Sequence, residues 1–152
     1  MKLTSTAFEQ GGKIPSKYTC DGQNINPPLE ISGIPAQTKS LALIMDDPDV
    51  PEWVRKDRMY VHWVIVDMPP ATQKIPENST PPGTVGRNTA GKSIYTGPCP
   101  PDREHRYFFK LYALDIQLKL DSSATKEQVE KTMAGHILAQ TELMGRYERS
   151  AK

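Results

Sequence analysis

Proline placement is the strongest constraint on this chain. All 14 prolines fall within residues 14–35, 48–51, 69–82 and 98–101, and none follows Pro101. Proline removes a backbone donor and breaks helix interiors, so the first two-thirds of the chain cannot be a helical bundle. What remains between the proline clusters must be strands joined by stiff loops. Residues 40–45 are continuously apolar after Ser40, as in a strand buried on both faces. Residues 61–66 are rich in β-branched and aromatic side chains and stop before Pro69-Pro70. Residues 106–114 form a third run beyond Pro100-Pro101, and a weaker strand is predicted over residues 3–8.

Only the C-terminal part is free of proline, and it carries a helix signal. Thr125 followed by Gln128 has the form of a capping box, with Glu127 in the first turn. Val129, Met133, Ile137 and Met144, widened by Ala134 and Leu138, predict an apolar stripe running to near Gly145. His136 would lie on this helix. The class expected is mainly β, an antiparallel Greek-key β-sandwich with a C-terminal α-helix. With 152 residues, one domain spanning 1–152 is expected.

Charge excludes some functions. Nineteen basic residues balance 18 acidic ones, which argues against nucleic acid as a partner. No apolar run reaches the length of a membrane span, and the amphipathic 126–147 segment lacks a Lys/Arg-dominated face, so stable membrane insertion is not expected. No apolar stretch follows Met1-Lys2, so the cytoplasm is the expected compartment. Cys20 and Cys99 are either free thiols or one bridge, which the sequence does not decide, and a reducing cytosol favours thiols.

In a strand, residues i and i+2 share a face. Tyr60, His62, Val64 and Val66 would then point one way. His105, Tyr107, Phe109, Leu111 and Ala113 share a face of another strand, and Asp47 is in phase with Leu41, Leu43 and Met45. Each polar member extends an apolar row at a strand end, where a pocket at the rim of a core would open. Taken singly, Asp46-Asp47-Pro48-Asp49 reads as a turn and each histidine as structural. The same residues allow two enzyme readings. Cys99 with His105 would make a nucleophile and base. His62, His105 and Asp47 would suit zinc or iron, but no tight ligand spacing exists.

Three ordered motifs carry a family resemblance. Asp47-Pro48-Asp49-Val50-Pro51 resembles the DPD-x-P motif of the phosphatidylethanolamine-binding protein family. His62-Trp63-Val64-Ile65-Val66 resembles its histidine strand, and Gly97-Pro98-Cys99-Pro100-Pro101 with His105-Arg106-Tyr107 its third motif. Tyr18–Gly22 and Gly135–Tyr147 are similar to the bacterial and archaeal, Raf-kinase-inhibitor-like branch. The chain departs from the pattern at Val50 (usually alanine), at Ile31 (often tryptophan), at Tyr60 and in the charged stretch Glu52–Arg58.

The resemblance implies a pocket for a small anionic or phosphorylated ligand: phosphate, a phospholipid head group or a nucleotide. The matching residues are Asp47, His62, Gly97, Cys99, Pro100, His105 and Tyr107, with Val50 and Tyr60 at the rim. It also implies a cis peptide bond between Val50 and Pro51, no catalysis, no cofactor and no metal. The two histidines would supply charged donors, and Asp47 is expected to orient His62. The alternative function is a protein-binding inhibitor of a kinase or protease. The resemblance leaves a homodimer open.

Overall fold

The computed structural model describes residues 1–149. Leu41 to Met45 are all completely buried, as the unbroken apolar run requires of a strand with layers on both sides. The elements in chain order are β1 (Lys2–Thr4), β2 (Leu29–Ser32), β3 (Ser40–Asp47), β4 (Tyr60–Met68), β5 (Lys74–Ile75), β6 (Thr84–Val85), β7 (His105–Leu114), α1 (Lys126–Met133) and β8 (Ile137–Tyr147). Two antiparallel sheets result, one ordered β1-β2-β5 and one ordered β6-β4-β3-β7-β8.

The strands β3, β4 and β7 divide two cores. On one side Leu41, Leu43 and Met45 meet Trp63, Ile65, Phe109 and Leu111, and Leu3, Leu29, Ile31 and Ile75 of the small sheet close over them. On the other side Ala42 and Ile44 join Val61, Val64, Val66 and Leu114 beneath Val129 and Met133 of α1. Each fully buried Leu, Ile or Phe contributes about 1.5–3 kcal/mol. A helix of eight residues is marginal alone, so α1 depends on this packing and on the Asp46 carboxylate. Asp46 is buried under it and accepts from Lys126 Nζ at 2.8 Å and Lys110 Nζ at 3.1 Å.

The helix starts where the sequence predicts. Thr125 and Gln128 form both bonds of the capping box. Its end is a correction: the chain leaves the helix at Ala134, and Gly135 takes φ 83°, a conformation glycine adopts without steric penalty. Residues 137–147 are not helical but form β8, in register with β7 from His105↔Tyr147 to Leu114↔Ile137. Leu143, Gly145 and Tyr147 are its buried positions, a period of two hidden within the helix-like spacing. Pairing with β7 overrides the helix propensity of the segment. His136 therefore lies between α1 and β8, with its Nδ1 2.8 Å from Asp115 Oδ1.

Two local expectations also fail. Cys20 and Cys99 are not thiols but a disulfide, with Cα atoms 5.4 Å apart. The Cys20 N–H donates to Pro98 O at 3.1 Å, which holds the two segments side by side. The Val50–Pro51 bond is trans, like every peptide bond among the described residues. Even before proline the trans form is favoured by about 0.5–1 kcal/mol. The Pro51 carbonyl here accepts from the N–H groups of Val54 and Arg55 at 2.9 and 3.2 Å, opening a turn.

Candidate functional site

Beyond the ends of β3, β4 and β7 lies a cavity of about 240 Å³. Its lining includes Asp47, Val50, Tyr60, His62, Gly97, Cys99, Pro100, His105 and Tyr107, all nine residues singled out from the sequence. Val54, Thr96 and Pro101 complete it.

Asp47 ends β3 in phase with Leu41, Leu43 and Met45, as predicted. Its Oδ1 accepts from the Asp49 N–H at 2.7 Å, so the Asp-Pro-Asp turn itself aims the carboxylate. Asp47 does not orient His62. Its Oδ2 lies 2.6 Å from Nδ1 of His105. The other nitrogen of His105, Nε2, lies 2.6 Å from Oδ1 of Asp102. An imidazole between two carboxylates donates to both only as imidazolium. Burial opposes that charge, but the hydrogen bonds and charges of Asp47 and Asp102 outweigh it and raise the pKa of His105. Both of its donors are consumed within the protein, so His105 offers none to a ligand.

His62 reaches the cavity by a device that alternation alone misses. Met45 pairs with Trp63 but Asp46 pairs with Val61, so His62 is the extra residue of a β-bulge. Regular alternation would leave it with Val64 and Val66, which face α1. The bulge turns it to the opposite face, with its ring 4.8 Å from that of Tyr60 and 5.3 Å from that of Tyr107. Its Nδ1–H donates to the Thr96 carbonyl at 2.6 Å, which assigns the tautomer and leaves Nε2 bare. Burial lowers the pKa of His62, with the Thr96 bond and the Asp47 charge opposing. His62 is thus neutral at neutral pH.

The loop 96–101 forms the facing wall. Gly97 donates its N–H to Asn24 Oδ1 at 2.7 Å. A Cβ here would collide with the Tyr18 carbonyl, so only glycine permits this approach. The disulfide fastens Cys99 to the same neighbouring segment. Tyr107 is fully buried, and its hydroxyl is one of three buried side-chain polar atoms without a hydrogen-bond partner among the described residues. Burial first, then the charge and the proximity of the Asp47 carboxylate, which approaches the hydroxyl without hydrogen-bond geometry, raises its pKa and keeps the phenol protonated as a donor.

Cys99 is held in the disulfide and His105 is bonded on both nitrogens, so the two are not arranged as nucleophile and base. Asp47, His62 and His105 do not converge as a metal-ligand set among the described residues. Of the two histidines expected as donors to an anion, His105 has both ring nitrogens engaged by carboxylates and offers none. Asp102 and Thr96 escaped the sequence reading. An aspartate three residues before a histidine was the only trace of Asp102, while the role of Thr96 is a backbone carbonyl, which no side-chain pattern reports. No helix among the described residues is long and apolar enough to cross a membrane.

Comparison with known proteins places this geometry in context. A family model described as phosphatidylethanolamine-binding protein matches residues 4–148. A UPF0098 protein of Chlamydia muridarum is 50% identical over 149 residues, covering 98% of this chain and 99% of that protein. One of Methanothermobacter thermautotrophicus is 48% identical over 155 residues, covering 98% and 99%. Among solved structures, the homolog CT736 of Chlamydia trachomatis superposes with a TM-score of 0.95 at 47% identity, over 97% of each chain. YbcL of E. coli, described as a member of the mammalian PEBP family, gives 0.88 at 29% identity, over 98% of each.

Proposed function

Since the chain belongs to the phosphatidylethanolamine-binding protein family, we propose that its cavity binds a small anionic ligand: phosphate, or the phosphoryl head of a phospholipid or nucleotide. The protein is read as a binding module with a signalling or regulatory role, and not as an enzyme. The observation that carries this is the Tyr107 hydroxyl, buried and without a partner beside the bare Nε2 of His62. A buried donor left unmade costs about 1–3 kcal/mol. A phosphoryl oxygen in the cavity would accept from it. His62 becomes a second, charged donor on taking up a proton, so binding and protonation are coupled. The prolines at 100 and 101 and the bond from Gly97 to Asn24 hold the wall rigid, which reduces the entropy lost on binding.

The test follows the imidazole resonances during titration with inorganic phosphate or O-phosphorylethanolamine. The His62 signals should move with saturation at millimolar ligand or below, while His105 shifts little. Unchanged resonances at all cavity positions would reject the reading.

A protein-binding inhibitor of a kinase or protease is the second reading, and one observation favours it. Trp53 stands 74% exposed beside Val54 at the cavity mouth, and exposed aromatic residues are typical anchors of protein interfaces. Inhibition lost in Trp53→Ala but kept in Tyr107→Phe would select this second reading.

A further inference from the structure

Among the described residues, no lysine or arginine lines the cavity. The ionised groups that face it, or lie one hydrogen bond behind, are Asp47, His105 and Asp102. One cation between two anions leaves an excess of one negative charge. The surrounding cations do not cancel it. Arg106 is held by Asp49 through bonds of 2.8 and 2.9 Å. Arg103 reaches Asp102 only at 3.8 Å and its side chain is 61% exposed, where solvent screens it. Behind the strand, Asp46 faces the two ammonium groups of Lys110 and Lys126, and that surplus of one positive charge lies on the α1 side of the sheet, away from the cavity. His62 is neutral before a ligand arrives.

Asp102 is the member that tips this balance. Without it, Asp47 and His105 present a neutral pair. With it, an entering anion meets net negative charge, and the penalty grows with the charge of that anion. Asp102 also occupies Nε2 of His105, so His105 adds no donor to those of Tyr107 and His62.

We propose that Asp102 sets the charge selectivity of the cavity, making it a site for singly charged anions, such as phosphate diesters and carboxylates, in preference to doubly charged phosphate monoesters. This rests on the anion-site reading above. Asp102 acts through His105 and is a positioning residue, whose side chain is 28% exposed on the loop that leads into β7.

Dimethyl phosphate and methyl phosphate separate charge from chemistry. At about pH 8 the diester carries one negative charge and the monoester close to two, since the second pKa of a phosphate monoester is near 6. The unaltered protein should bind the diester about five- to tenfold more tightly. In Asp102→Asn both should bind more tightly, the monoester gaining about the square of the factor gained by the diester, so that the preference disappears. Asp102→Glu, which keeps the charge, should restore it. A purely structural role for Asp102 predicts weaker binding of both esters in Asp102→Asn with an unchanged ratio, and that result overturns the proposal. A preference of the unaltered protein for the monoester also overturns it. If neither ester moves a cavity resonance in any of the three proteins, the anion-site reading itself fails.

Discussion

The Tyr107 hydroxyl is buried and unbonded, so the protein tolerates a donor that the fold does not use. Tyr107→Phe should leave stability unchanged or slightly higher, because an unsatisfied group is removed. It should weaken phosphate binding about five- to tenfold, as expected for a hydrogen bond to a charged acceptor. Calorimetric titration and urea unfolding of the same preparation check both; lower stability with unchanged affinity would assign the hydroxyl to the core. His62 makes a pH prediction. Its folded-state pKa is depressed by burial, so an anion that needs the imidazolium binds with uptake of a proton. Affinity should decline as pH rises from about 6 to 8, by up to tenfold per pH unit. Titrations in buffers of different ionisation heat report the proton directly, and a flat profile would mean that Tyr107 acts without an imidazolium. The same depression makes His62 a cost to stability as pH falls below about 6.5, where the unfolded chain binds the proton more readily. His105 works the other way: with its folded-state pKa raised, its contribution is full below about 6.5 and is lost as pH climbs through the folded value.

Among the elements, α1 is the least self-sufficient. Eight residues, a capping box and the Val129 and Met133 contacts hold it on the sheet, and Asp46 ties its first turn down through Lys126. Asp46→Ala should cost about 3–5 kcal/mol, because it leaves the buried Lys126 ammonium without its counter-charge. Urea unfolding measures this; a loss below about 1 kcal/mol would mean that the lysine turns to solvent without penalty. The bulge in β4 has the opposite significance. It interrupts pairing at one residue, and that residue is His62. The sheet gives up one ladder position and gains a side chain directed into the cavity.

For the whole molecule, the Cys20–Cys99 bond closes a loop with a sequence separation of 79 and joins the cavity wall to the N-terminal segment. Chain-entropy arguments assign such a crosslink about 3–5 kcal/mol. Reduction, or Cys20→Ser with Cys99→Ser, should lower the melting temperature by about 10 °C. Melting scans with and without a thiol reductant measure it, and coincident scans would show that the segments stay together without the bond. The remaining ties of that wall, from Gly97 to Asn24 and from Tyr95 to the Tyr18 carbonyl, make cavity geometry less sensitive to reduction than global stability.

Much of this architecture is written in one dimension. Proline positions confine the regular elements, the unbroken run at Leu41–Met45 marks the central strand, and Asp47, His105 and Tyr107 follow from a period of two. These features depend on near neighbours along the chain, which is why they can be read there. What could not be read depends on partners distant in sequence. The 137–147 segment matches a helix by spacing and becomes a strand because β7 offers an edge. His62 changes face because β3 and β4 slip by one residue, and Cys20 meets Cys99 because two loops converge. The charge of the cavity belongs to the same class. The histidines, Asp47 and Asp102 are all visible in the sequence, yet whether an imidazole is neutral or sealed between carboxylates depends on separations of 2.6 Å, which are set only when the strands pack.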